Sequence, residues 1–394
     1  MFSSVRSLCS TSMIILGAAL PSLAQNKVVV GYWHNWNNAS APFIRLGDVP
    51  NYYNVIDIAF AVPVSATDMT MQFDPEANLQ SEASFIADMR TLQKRGTKIL
   101  LSLGGADGTV DISTNSEKQK FIRTLDSLIK KYGFNGLDID VEHGMQLTGG
   151  DGDFKNPTTP NIVNLIDALK TLRAQNGGAD FWITSAPEVA YVQGGFSAYG
   201  GIWGAYLPLL WGIRNELNFV HVQYYNTGST GTPDGHNYNQ GTADFIVAMT
   251  DMLLSGFTVG GSPANNFPGF REDQVVFGLP AAPGAAGGGY MSFTEVTKAL
   301  DYLTKGIPFG GQYVIRKTGG YPALRGIMTW SVNWDAPSQY SFGKTYSAYF
   351  KIGTPSRIHQ RKTFAHVGTL PILKIYGVNG RLLELSNYGR ISAR

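Results

Sequence analysis

Apolar and β-branched runs recur along the chain at Val28–Trp33, Tyr53–Val62, Lys98–Gly104, Gly136–Glu142, Phe181–Pro187, Phe219–Tyr225, Gln274–Pro280 and Gly326–Val332. Between them lie stretches with helical spacing, notably Ser81–Arg95, Ser116–Tyr132, Pro160–Gln175, Thr242–Ser255 and Phe293–Lys305. In the second of these, Phe121, Leu125, Leu128 and Ile129 fall on one face. Eight buried-looking strands alternating with helices predict an α/β fold of the closed parallel (β/α)₈ type, a TIM barrel. A doubly wound open sheet is the competing architecture, and the first strand lacks the Gly-x-Gly-x-x-Gly that would favour it.

One strand breaks the apolar pattern. In Gly136-Leu137-Asp138-Ile139-Asp140-Val141-Glu142, three carboxyl groups share one face and Leu137, Ile139 and Val141 the other. Same-face side chains stand roughly 7 Å apart, so the three acids repel and some must hold protons, as a general acid at neutral pH requires. Glu142, last on the strand, reaches toward the mouth. Asp138 is expected to lie deepest and to be least able to stay charged, with Asp140 free to bond either neighbour. A calcium loop also spaces acids at alternate positions, but it needs Gly sixth and Glu twelfth, where this chain has His143 and Gly149.

In a barrel, catalytic groups gather where strands end. The ends here carry Tyr32-Trp33-His34-Asn35-Trp36, Ser102-Leu103-Gly104-Gly105, Glu142, Ser185-Ala186-Pro187-Glu188, Gln223-Tyr224-Tyr225-Asn226 and Trp330-Ser331-Val332-Asn333-Trp334. Trp330, Trp33, Trp36 and Tyr32 can offer a ring face to the C–H face of a sugar; for Trp36 and Trp334 packing is an equal alternative. Trp182, Trp203 and Trp211 are assigned to packing. His34, His143 and His221 stand on separate strands without metal-ligand spacing, so no metal is expected, and the Gly149–Asp153 stretch reads as a polar turn.

Composition narrows the partners. The 394 residues are 43% hydrophobic and 15% charged, as in a globular protein. The formal charge of +2 hides a basic end: residues 355–394 carry +6 and residues 1–24 carry +1, leaving −5 on 25–354. That body offers no basic face to nucleic acid. Arg6, the apolar run Met13–Leu20 and Ser22-Leu23-Ala24 read as a signal peptide over residues 1–24, too short to span a bilayer, and predict secretion to the extracellular space. The only cysteine, Cys9, lies within that segment. A catalytic domain over 25–353 and a tail over 354–394 follow, the latter reading as a hairpin turning at Asn379-Gly380.

Asn135-Gly136-Leu137-Asp138-Ile139-Asp140-Val141-Glu142 resembles the D-G-x-D-x-D-x-E signature of the family 18 glycoside hydrolases, the chitinases and their relatives, with Asn135 in place of the first Asp. Ser102-x-Gly104-Gly105, Ala186-Pro187-Glu188, Gln223-x-Tyr225-Asn226 and Trp330 are similar to that family's other strand-end elements, in the same order. The resemblance implies Glu142 as general acid and then base, Asp140 orienting the substrate's acetamido group, Asp138 sharing Asp140's proton, Tyr225 bonding the acetamido oxygen, and Trp330 as sugar platform. Tyr32, Trp36, Ser102, Gly104, Glu188, Gln223 and Asn226 are then expected to line the substrate site. It further implies a monomeric, cofactor-free endochitinase acting on chitin or N-acetylglucosamine oligomers, independent of nucleic acid and membrane. The alternatives are an endo-β-N-acetylglucosaminidase on the same acidic strand and a chitin-binding lectin, which usually lacks the last Glu. Between Pro283 and Phe293 there is no room for the α+β domain that deep-clefted relatives insert.

Overall fold

Each of the eight apolar runs forms a parallel strand: β1 (Val28–His34), β2 (Val55–Ser65), β3 (Lys98–Thr109), β4 (Gly136–His143), β5 (Trp182–Ser185), β6 (Leu217–Gln223), β7 (Val275–Pro280) and β8 (Gly326–Trp330). The computed structural model describes residues 27–148 and 150–352, with three short strands in the tail. Every strand pairs with the next, and β1 pairs with both β2 and β8, which closes the ring.

Helices α1 (Glu82–Lys94), α2 (Asn115–Tyr132), α3 (Pro160–Gln175), α4 (Tyr206–Gly212), α5 (Ala243–Ser255) and α6 (Phe293–Lys305) accompany the strands; α7 (Val332–Asp335) and α8 (Ser341–Phe350) follow β8. The helix leading into the acidic strand has its ends written in sequence. Thr114 and Glu117 form a reciprocal cap at its start, and Gly133, at φ 81°, ends it in the left-handed region. Asn135 then accepts from the Ile99 amide (3.0 Å) and from Gln93 (3.1 Å), so the residue that departs from the signature serves as a structural acceptor at the foot of the strand.

The cycles are less uniform than the sequence pattern implies. The β1–β2 connection carries only a single helical turn, Leu46–Asp48, in a segment bracketed by Pro42 and Pro50. Three antiparallel additions went unanticipated: Asp68–Gln72 on the end of β2, Ser229–Gly231 with Asn237–Asn239, and Phe257–Val259 with Ser262–Phe267. The last turns through Gly260-Gly261, both at positive φ, a two-residue turn legible in sequence.

Valines, Leu100, Phe219 and Met328 from alternate strand positions form one cluster inside the barrel, and a larger cluster lies between strands and helices. Trp182 packs against the inner cluster, with Lys98 and Arg325 over its ring. Trp211 packs as expected, but Trp203 does not: it is 47% exposed, on the loop after β5.

Residues 354–394 form a separate compact unit. Its strands Ile375–Tyr376, Leu382–Leu385 and Ile391–Ala393 are antiparallel. The turn expected at Asn379-Gly380, like the 1–24 segment and Cys9, lies outside the described residues.

Candidate active site

The acidic strand runs on past its neighbour. The β4–β5 ladder stops at Ile139↔Ser185, so the backbone of Val141 and Glu142 must find other partners. Tyr206 Oη bonds both the amide and the carbonyl of Val141 at 2.8 Å, and Tyr191 Oη donates to the Glu142 carbonyl at 2.7 Å. Sequence reasoning missed both tyrosines, whose hydroxyls hold the strand end that carries Glu142. On the other side Gly104 has φ 97°, and a Cβ there would sit 2.8 Å from the Asp140 carbonyl. Only glycine lets β3 lie this close to the acids.

The three carboxyls occupy different environments. Asp138, fully buried, accepts from Tyr32 Oη (2.6 Å), Ser102 Oγ (2.7 Å), Thr184 Oγ1 (2.7 Å) and His221 Nε2 (2.7 Å). Burial alone would raise its pKa, but His221 and the hydroxyl donors outweigh burial and hold it below the usual carboxylate range. The expectation that Asp138 is least able to stay charged is therefore wrong: depth came with four donors. No hydrogen bond joins Asp138 to Asp140, so no proton is shared between them in this structure.

Asp140 is shifted the other way. Burial, then the charges of Glu142 and Asp138, push its pKa well up, against a single donor, Gln223 Nε2 at 2.8 Å. Glu142, half-buried, is also raised, first by burial; Gln223 at 3.3 Å pulls the other way. Beside it Glu188 is raised by burial and by the Glu142 charge.

Above these acids lies a cleft of about 650 Å³. Asp140, Glu142, Glu188, Gln223, Tyr225, Asn226, Gly104, Trp36 and Trp330 line it, nine residues the sequence had placed there. Tyr32 and Ser102 do not. Tyr32 is 1% exposed and Ser102 fully buried, and both spend their hydroxyls on Asp138 beneath the floor. Trp33 is buried too, donating to the Ile44 carbonyl at 2.8 Å, and Trp334 packs beside Gly284 outside the cleft.

Phe60, Asn35, Asp107 and Ala285 also line the cleft and were missed. Phe60 lies next to the last barrel-paired residue of β2, Ala61, and asking of that strand what was asked of six others would have found it. Its ring is near-parallel to Trp330 (5.9 Å, 13°) and Trp36 (6.3 Å, 28°), so the three make an aromatic wall. His34 stacks under Trp36 at 4.5 Å; burial lowers its pKa to about 3, which keeps it neutral. Burial raises the Tyr225 pKa well above the usual tyrosine range, so its hydroxyl keeps its proton. Gly289, at φ 100°, lets the loop after β7 lie against Tyr225, and Asn226 Oδ1 accepts from Gly287 in the same loop at 2.7 Å.

Ligand atoms of Asp57, Asp138 and His221 lie within 4.8 Å of one another. Asp138 already accepts four hydrogen bonds there, one of them from His221 Nε2. The Asp151 turn is closed by bonds from Thr158 and Thr159.

A parallel closed barrel with paired acids at the carboxyl end of its fourth strand and an aromatic-walled cleft defines a glycoside hydrolase fold and site. Residues 28–259 match the sequence profile of the glycosyl hydrolases family 18, and the chain belongs to that family. It is 48% identical over 347 residues to chitinase Chi52 of Paenibacillus xylanexedens, covering 87% of this chain and 66% of that protein. It is 44% identical over 336 residues to exochitinase 1 of Streptomyces olivaceoviridis, covering 82% of this chain and 55% of that one. The solved family 18 chitinase of Chromobacterium violaceum superposes with a TM-score of 0.75 at 38% identity, over 83% of this chain and 84% of the other. The chain thus spans about two thirds or less of the length of these two curated relatives.

Proposed function

We propose that this protein is a secreted, monomeric endochitinase that hydrolyses β-1,4 bonds between N-acetylglucosamine units with retention, using the substrate's own acetamido group as nucleophile. In this reading residues 25–353 form the catalytic domain and 354–394 an appended tail. One observation carries the mechanism: the carboxyl next to Glu142 is Asp140, whose pKa burial and then the charges of its neighbours raise, and a protonated carboxyl is no nucleophile. Ordinary retaining enzymes place an ionised carboxylate about 5–5.5 Å from the acid, and this family is the substrate-assisted exception.

The geometry supports the following course. A sugar stacks on Trp330 with its acetamido group over Asp140 and Tyr225. Glu142, its pKa raised by burial, passes its proton to the bridging oxygen as the C1–O bond breaks. The acetamido oxygen, aligned by the Tyr225 hydroxyl, closes on C1 and forms a cyclic oxazolinium, while an Asp140 oxygen accepts the N–H that is gaining positive charge. Water then attacks C1 from the face the leaving group vacated and displaces the acetamido oxygen, which reopens the ring. It gives its proton to Glu142, which restores the acid and leaves a β-anomer. The presence of Glu142 supports an enzyme over a lectin.

Glu142→Gln keeps shape and hydrogen bonding but has no proton to give. It is expected to bind chitin oligomers and to lose about 10²–10⁴-fold in hydrolysis. Hydrolysis near the wild-type rate would refute the assignment.

A further inference from the structure

His34, the last residue of β1, sits behind the aromatic wall of the cleft and is only 2% exposed. Its ring lies nearly parallel to Trp36 (4.5 Å, 10°) and inclined to Trp330 (4.7 Å, 42°). The two indoles are themselves inclined at 39°, with 6.4 Å between their centroids, so the imidazole fills the angle between them. The backbone on either side is pinned. The His34 amide donates to Asn333 Oδ1 at 2.9 Å, and Asn333 Nδ2 donates to the Pro42 carbonyl at 3.1 Å. Asn35 Nδ2 donates to the Asp74 carbonyl at 2.7 Å, and its Oδ1 accepts from the Glu76 amide at 3.0 Å.

The imidazole itself makes no hydrogen bond. Neither Nδ1 nor Nε2 has a partner among the described residues, and burial keeps the ring neutral. A buried polar group left unbonded costs stability, so the ring's contribution lies elsewhere. It offers a flat face, which an aliphatic side chain lacks. Trp330 stands on β8 and packs on Tyr32 and Phe60, so it keeps its place without that face. Trp36 is different: it is 36% exposed, on an irregular segment past the end of β1, and with the imidazole gone its indole can turn into the space behind.

We propose that His34 is a positioning residue for the bound chain: its ring, stacked on Trp36 and packed against Trp330, holds Trp36 as the platform for a second sugar beside the one on Trp330. The 6.4 Å between the indoles is comparable with the repeat of a β-1,4-linked sugar chain, so neighbouring units of one chain can use both. This rests on the reading of the cleft as a chitin site.

The test is the Kd of N-acetylglucosamine oligomers of increasing length, measured in the Glu142→Gln background so that binding is read without turnover. His34→Ala and Trp36→Ala should each weaken binding of long oligomers about 2–10-fold, the worth of one aromatic contact, with a loss that grows with oligomer length. The double substitution should bind no more weakly than Trp36→Ala alone, because His34 acts through Trp36. His34→Phe, which keeps a flat ring without the nitrogens, should restore the Kd. Losses that multiply in the double variant, a loss equal at every length, or a His34→Phe variant as weak as His34→Ala each overturns the proposal. A merely packing role would lower Tm and leave Kd in place, which overturns it too. If His34→Ala fails to fold, His34→Leu fills the volume without a flat face and is judged by the same outcomes. If Glu142→Gln alone binds no oligomer, the chitin reading fails and this inference with it; if it binds and His34→Ala changes nothing, only this inference fails.

Discussion

Gln223 Nε2 donates to Asp140 Oδ1 at 2.8 Å and reaches Glu142 Oε1 at 3.3 Å, so one amide bridges the two acids at the cleft floor. The same nitrogen is anchored on the Ala186 carbonyl at 3.0 Å. In both acids this donor favours the charged form and lowers the pKa that burial raises. Replacing it by Leu, of similar volume, removes the lowering contribution. The basic limb of kcat/KM should then move to higher pH, because Glu142 keeps its proton longer. The rate should fall about 2–10-fold, as expected for one lost hydrogen bond to a neutral group. A pH–rate series on Gln223→Leu checks both signs, and a limb that moves down contradicts the arrangement.

The barrel was legible because its strands are buried on both faces and read as continuous apolar runs. The acid at the mouth was legible because alternating carboxyls on such a strand have no structural explanation. The protonation order was not. Depth suggested that Asp138 would be neutral, but Tyr32, Ser102, Thr184 and His221 come from four other strands, and their convergence on one carboxyl is a property of closure that no single stretch shows. Tyr32 and Ser102 were misplaced for the same reason: strand-end position does not reveal whether a hydroxyl turns up to the cleft or down to a buried ion.

Stability should hinge on a second buried anion, remote from the cleft. Asp251 on α5 is fully buried and accepts from Tyr313 Oη at 2.7 Å and from the Arg316 amide and guanidinium at 3.1 and 2.5 Å. This ties the segment before β8 to α5. Arg316→Leu leaves Asp251 buried without its counter-ion and should cost about 3–5 kcal/mol in urea unfolding. A change below about 1 kcal/mol would show that the Tyr313 hydroxyl and the backbone amide suffice.

The loop from Ala281 to Ser292 links β7 directly to α6, so the cleft has no inserted wall on that side. Internal bonds of a chain should then be reachable without threading an end. Viscosity of a soluble chitin derivative is expected to fall early, before much reducing sugar appears. Release of dimers from one end with viscosity unchanged would point instead to exo action, the mode named for the Streptomyces relative.

The central claim is that the substrate supplies the nucleophile: burial and the neighbouring charges raise the pKa of Asp140 well above the usual carboxylate range, and Glu142 is proposed as the proton donor. An N-acetyl group is then required on the sugar at the non-reducing side of every cleaved bond. The direct measurement is to digest partially deacetylated chitin and sequence the new reducing ends. The account predicts that they are acetylated throughout, within the error of the method; a substantial fraction ending in unacetylated glucosamine would contradict it.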